Sequence, residues 1–159
     1  MRQNLLALGM LALLAADPLA AAAPQTLALH CGHLVDTPAG RLRGPTTITI
    51  EGQRIKAVQP GTVAVPGARV IDLESATCLP GLIDSHTHLT GETSRSGAID
   101  RFRLNTADYA IRSTLYARRT LAAGFTTVRN LGGSDNLSIA LRNAINAGLI
   151  PGPRIYTAG

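Results

Sequence analysis

From Pro80 onward the chain keeps one rhythm: a short apolar or β-branched run, a polar break, then a longer stretch whose apolar residues return at helical spacing. Leu82 to His88 reads as a strand and Thr90 to Arg103 as a loop. Asn105 or Thr106 suits the N-cap of a helix in which Ile111, Leu115 and Ala122 recur, and Gly124 suits its C′ position. Phe125 to Asn130 is a second strand. Gly132-Gly133-Ser134 leads into a second helix with Leu137, Leu141, Ala144 and Ile145 on one face and Gly148 at its end. Pro151-Gly152-Pro153 then introduces a third strand, Arg154 to Thr157. Strands joined through helices run parallel, because a crossover returns the chain to the end it left. Three strands and two helices with an open edge read as an interrupted barrel, or else as a small open α/β sheet. A complete eight-fold barrel needs about 250 residues, and this sequence has 159.

The first half is organised differently. Leu27 to Val35, Thr46 to Glu51, Arg54 to Val58 and Arg69 to Leu73 read as strands, with a hairpin turn at Glu51-Gly52-Gln53 and Pro66-Gly67 as punctuation. Residues 24–79 thus form a small β subdomain with no evident chemistry. Ahead of it, Arg2, the apolar run Leu5 to Ala16 and the small residues Ala20 to Ala23 have the layout of a signal peptide. Asp17 and Pro18 cut that run short of the roughly 20 residues a membrane span requires. The expectation is an exported protein, periplasmic or secreted, whose leader is residues 1–23. It would carry no stable membrane insertion after cleavage. Cys31 and Cys78 are expected as two buried thiols, with a disulfide as the alternative that an oxidising compartment allows.

The formal charge of +5 comes almost entirely from arginine, since Lys56 is the only lysine. The arginines are scattered and there is no tryptophan, so the clustered basic face interleaved with aromatics that nucleic-acid binding needs is missing. No nucleic-acid partner is expected.

The chemistry concentrates at His86 and His88. Side chains two apart on a strand project to one face, so both imidazoles can converge on one ion. Asp84 has the same parity and could orient a ligand imidazole by accepting its second ring proton. Both histidines fall at the carboxyl end of the strand, where barrel enzymes keep their sites. His30 and His33 do not share a strand face and are read as structural or surface residues. Arg129 and Asn130, at the end of the second strand, are candidates for the pocket edge, although a β-branched strand is more often packing than chemistry.

The run Leu79-Pro80-Gly81-Leu82-Ile83-Asp84-Ser85-His86-Thr87-His88-Leu89 resembles the first barrel strand of the amidohydrolase superfamily of metal-dependent hydrolases. Ala123 to Gly133 and Ala147 to Ile155 resemble a narrower branch, that of imidazolonepropionase-like enzymes and of exported dipeptidases acting on Xaa-Pro, Xaa-Arg or Xaa-Lys bonds. The resemblance implies residues 80–159 as the start of a (β/α)8 TIM-type barrel. It implies His86 and His88 as ligands of the more buried metal in a site of one or two divalent ions, zinc by expectation, with Asp84 in support. The activity implied is hydrolysis of a carbon–nitrogen bond in a small molecule or dipeptide by metal-activated water. The family's bridging lysine or glutamate, two further histidines and general-base aspartate belong to later strands, so this chain alone is expected to be inactive, with no catalytic residue assigned within it. Oligomerisation of a full-length protein stays open. Asn130 departs from the resemblance, since aspartate is common after Thr-Thr-Val-Arg. The competing reading is a non-catalytic exported α/β module with a weak or vestigial metal site.

Overall fold

The computed structural model describes residues 25–158, so the expected leader lies outside the described residues. Among the described residues no helix is long and apolar enough to cross a membrane. Two compact units share the chain, one built mainly from residues 43–77 and the segment before Val35, the other mainly from residues 78–159.

Most of a five-stranded sheet falls in the first unit, while Val35–Leu42 belongs to the second. β1 (Thr26–Asp36), β2 (Arg41–Arg43), β3 (Thr46–Glu51) and β4 (Arg54–Pro60) lie in the order β2-β1-β3-β4, and β5 (Arg69–Cys78) pairs with β1. The β3–β4 hairpin turns where Gly52 has a φ of 58°, as the Glu-Gly-Gln junction predicts. β5 runs well past the expected end at Leu73. Gly32, which looks like an interruption of β1 in sequence, is what admits it: a Cβ there would collide with the backbone carbonyl of Glu74. Thr47 is fully buried yet satisfied, because its hydroxyl donates to Gly61 O and accepts from Val63 N, each at 2.8 Å. The ring of His30 reaches Val63 O at 3.1 Å. Cys31 and Cys78 are both disulfide-bonded, which corrects the expectation of two buried thiols.

The second unit is the strand–helix alternation. β6 (Leu82–Thr87), β7 (Phe125–Asn130) and β8 (Arg154–Thr157) form a three-stranded parallel sheet in that order. α2 (Thr106–Ala122) follows β6, and α3 (Leu137–Asn146) joins β7 to β8. Asn105 caps α2 with a reciprocal box: its side chain accepts from Asp108 N, and the Asp108 carboxylate accepts from Asn105 N. Gly124 and Gly148 end the two helices with φ of 94° and 71°.

Two expectations need correcting here. The segment read as loop contains a further short helix, α1 (Gly97–Arg103), giving three helices where two were expected. It buries nothing, so no apolar period announced it; Asp100 ties it down by accepting from Ser96 Oγ and Arg112 Nη1, both at 3.1 Å. The Asp100 hydrogen bond also holds the Arg112 guanidinium above its ordinary pKa. In α2 the buried residues are Ser113 and Ala117, whereas Ile111 is 72% exposed. Small side chains let this helix lie close to its neighbours: a Cβ on Gly152 would meet both Ala117 and Ile145.

The core of this unit is Leu89, Ala117, Val128, Leu141 and Ile155, with Phe125, Ile145 and Ile150 packed against it. Val128 pairs with Ile155 and Asn130 with Thr157, so one face of β7 and β8 is covered by α2 and α3. The other face carries Arg129 and Tyr156, both exposed.

Candidate metal centre

β6 is fixed at its start by sterics. A Cβ on Gly81 would occupy the space of the Thr126 side chain, so the Pro80-Gly81 step is needed to bring the strand beside β7. The ladder then slips. Asp84 lies opposite Val128 and Thr87 opposite Asn130, so three residues of β6 advance against two of β7. Partners in a parallel ladder project to one side, and an extra residue reverses the alternation. Asp84 and Thr87 both align with the helix-covered face, and His86 and His88 alternate away from it. The expectation that Asp84 shares the histidines' face fails for this reason, since the parity argument assumed an unbroken strand.

A bulge leaves backbone groups that the ladder cannot satisfy, and two side chains take them up. Asp84 Oδ1 accepts from His86 N at 2.9 Å, and Arg129 Nε donates to Ser85 O at 2.7 Å. Asp84 therefore grips the histidine segment by its backbone instead of by a ring, and Arg129 clamps it from β7.

His88 sits one residue past the end of β6. The two imidazoles lie with ring centroids 5.5 Å apart and planes at 61°. A tetrahedral ion with nitrogens at about 2.0–2.1 Å holds two ligand rings with centroids on the order of 5 Å apart, so the spacing fits a shared cation. His88 Nδ1 faces Gly132 O at 3.3 Å. Only an N–H can face a carbonyl oxygen favourably, so the proton belongs on Nδ1 and the lone pair on Nε2. Among the described residues no group of three or more His, Cys, Asp and Glu side chains is placed to hold a metal. Two imidazoles are fewer donors than the three or four protein ligands of a zinc site.

Asn130, considered as a pocket-edge residue, is instead 0% exposed. Its Oδ1 accepts from Leu89 N at 2.7 Å, and its Nδ2 donates to Gly132 O at 2.9 Å. A cavity of about 670 Å³ opens beside His88, lined among others by Arg101, Tyr109, Gly132, Ser134 and Asp135. Neither Arg129 nor Asn130 lines it. Arg101 and Tyr109 escaped sequence reading because they stand on a helix not foreseen and on an unremarkable turn of α2. Gly132 carried a signal, a glycine pair just past a strand, and its φ of 126° bears that out.

A parallel β/α unit with two histidines at the carboxyl end of its first strand has its candidate chemistry at the end where barrel enzymes keep theirs. Comparison with known proteins gives the family: residues 77–159 match the amidohydrolase family, and the chain belongs to it. It is 38% identical over 77 residues to a dihydroorotase of Syntrophus aciditrophicus (strain SB), a match covering 44% of this chain and 18% of the relative. Among solved structures it is similar to an Xaa-Pro dipeptidase with bound methionine in the active site, with a TM-score of 0.77 and 35% identity over 85% of this chain and 33% of that one. It is also similar to a prolidase complexed with N-methylphosphonate-L-proline, with a TM-score of 0.72 and 33% identity over 85% of this chain and 32% of that one. The chain spans about a third of the length of these structures and under a fifth of the dihydroorotase.

Proposed function

We propose that this chain supplies the first metal-binding strand of a hydrolase that cleaves carbon–nitrogen bonds with a metal-activated water, and that its substrates are small amides or dipeptides of the Xaa-Pro, Xaa-Arg or Xaa-Lys kind. The observation that carries the reading is the 5.5 Å spacing of the His86 and His88 rings at the exit of a parallel strand. The family, and the similarity to an Xaa-Pro dipeptidase and a prolidase, support the bond type and the substrate class.

In this reading His86 and His88 hold one divalent ion, taken as zinc, one of the metals that imidazole donors accept. Such an ion lowers the pKa of a water molecule and polarises the scissile carbonyl. The chain's own residues do the rest of what falls to this strand. Asp84 and Arg129 fix the backbone of the bulge, so that the His86 ring enters the site at a set angle. Gly132 O keeps the proton of His88 on Nδ1 and the lone pair on Nε2. Arg101 and Tyr109 line the cavity beside His88 and suit a polar substrate. Ligands and a proton carrier from elsewhere in a full-length protein complete the reaction, and residues 1–23 direct its export.

The test is metal content and dipeptide hydrolysis in a full-length protein. His86→Ala and His88→Ala should each lower bound metal and reduce hydrolysis of an Xaa-Pro dipeptide by at least about 100-fold. Activity and metal content both left at wild-type levels would overturn the assignment.

A further inference from the structure

Asn130 is a polar side chain with no solvent contact, on the face of β7 packed by helices, and it carries two hydrogen bonds of opposite sense. One holds the backbone of Leu89, the residue after His88. The other holds the carbonyl of Gly132, which is also the partner of His88 Nδ1. The amide orientation is settled chemically: turning it over would set an NH2 against the Leu89 N–H and an oxygen against the Gly132 carbonyl. Leu131 N to Thr87 O at 3.0 Å and Ala158 N to Asn130 O at 3.1 Å lock the flanking backbone, which leaves the side chain little latitude.

We propose that Asn130 is a positioning residue for His88: it fixes the Gly132 carbonyl that selects the Nδ1–H tautomer, and so presents Nε2 to the metal. This deepens the proposed metal site and rests on it. The role needs a donor and an acceptor on one short side chain. An ionised aspartate, acceptor only, would keep the Leu89 bond and face the Gly132 carbonyl with a second oxygen. An aspartate at this place therefore has to arrange the His88 loop differently. The identity of residue 130 becomes a switch between two ways of orienting the histidine.

The experiment reads ¹⁵N chemical shifts of the histidine rings in metal-free full-length protein at about pH 8, together with amide exchange at Leu89. Wild-type protein should show His88 as the Nδ1–H tautomer and a protected Leu89 amide. Asn130→Asp should shift His88 towards a mixture while Leu89 stays protected, and Asn130→Ala should lose both signatures. His86 should keep its tautomer in each variant. Metal affinity by titration should fall about 10- to 100-fold in both, as for other residues that orient a ligand. A wild-type His88 in the Nε2–H form, an exposed Leu89 amide, or a His88 tautomer unmoved in both variants would overturn the proposal. If Asn130→Ala does not fold, Asn130→Asp, which keeps the Leu89 bond, carries the test. Because tautomer and exchange are read without metal, they stand apart from the question of whether His86 and His88 bind an ion.

Discussion

Val128 is the residue whose replacement reads the packing of the strand–helix unit most directly. It is 0% exposed at the centre of β7 and lies in one cluster with Leu89, Ala117, Leu141 and Ile155. Val128→Ala removes two buried methyl groups, a transfer loss of about 1.6 kcal/mol at roughly 0.8 kcal/mol per group. The space left adds about 24 cal/mol per Å³ that the neighbours do not refill, or roughly 1 kcal/mol for a void of about 40 Å³. The total is about 2–3 kcal/mol. Val128→Thr separates shape from polarity: the volume is nearly kept, but a hydroxyl enters the apolar cluster of Leu89, Ala117, Leu141 and Ile155, at a cost of about 1–3 kcal/mol. Urea unfolding followed by circular dichroism gives both values from the midpoint, provided the slope is unchanged. A Val128→Ala protein within about 0.5 kcal/mol of wild type would refute the reasoning, because only a surface substitution is that mild.

Other outcomes follow from single contacts. Gly81→Ala forces a methyl group into the Thr126 side chain and should cost about 1–3 kcal/mol; Thr126→Ala in the same protein should recover part of the loss, and strict additivity in urea unfolding would count against the contact. Asn105→Ala breaks the capping box of α2 and should lower stability by about 1 kcal/mol, read from the thermal midpoint. Replacing Cys31 and Cys78 by serine should lower stability by about 2–4 kcal/mol, and adding reductant to the wild type should reproduce the shift while leaving the serine protein unmoved.

Much of the architecture was legible in order. β7 and β8 have the bounds that the sequence suggested, and Asn105, Gly124 and Gly148 mark helix ends where local chemistry puts them. These features are decided within a few residues, by capping hydrogen bonds and by glycine's freedom at positive φ, so they can be read without partners. α1 was not legible, because a seven-residue helix that buries nothing leaves no apolar period.

The site divides along the same line. Spacing puts His86 and His88 on one side of a regular extended segment, since neighbours two apart share a face wherever the alternation is unbroken. Which face that is, and what holds it, came from pairing. The three-against-two register with β7 turned Asp84 away from the rings, and Arg129, Asn130 and Gly132 reach the histidine segment only because β7 runs alongside β6. A bulge and a buried amide bridge are relations between residues more than forty positions apart. No local pattern encodes them, because what fixes each is the hydrogen-bonding need of a backbone group on another strand.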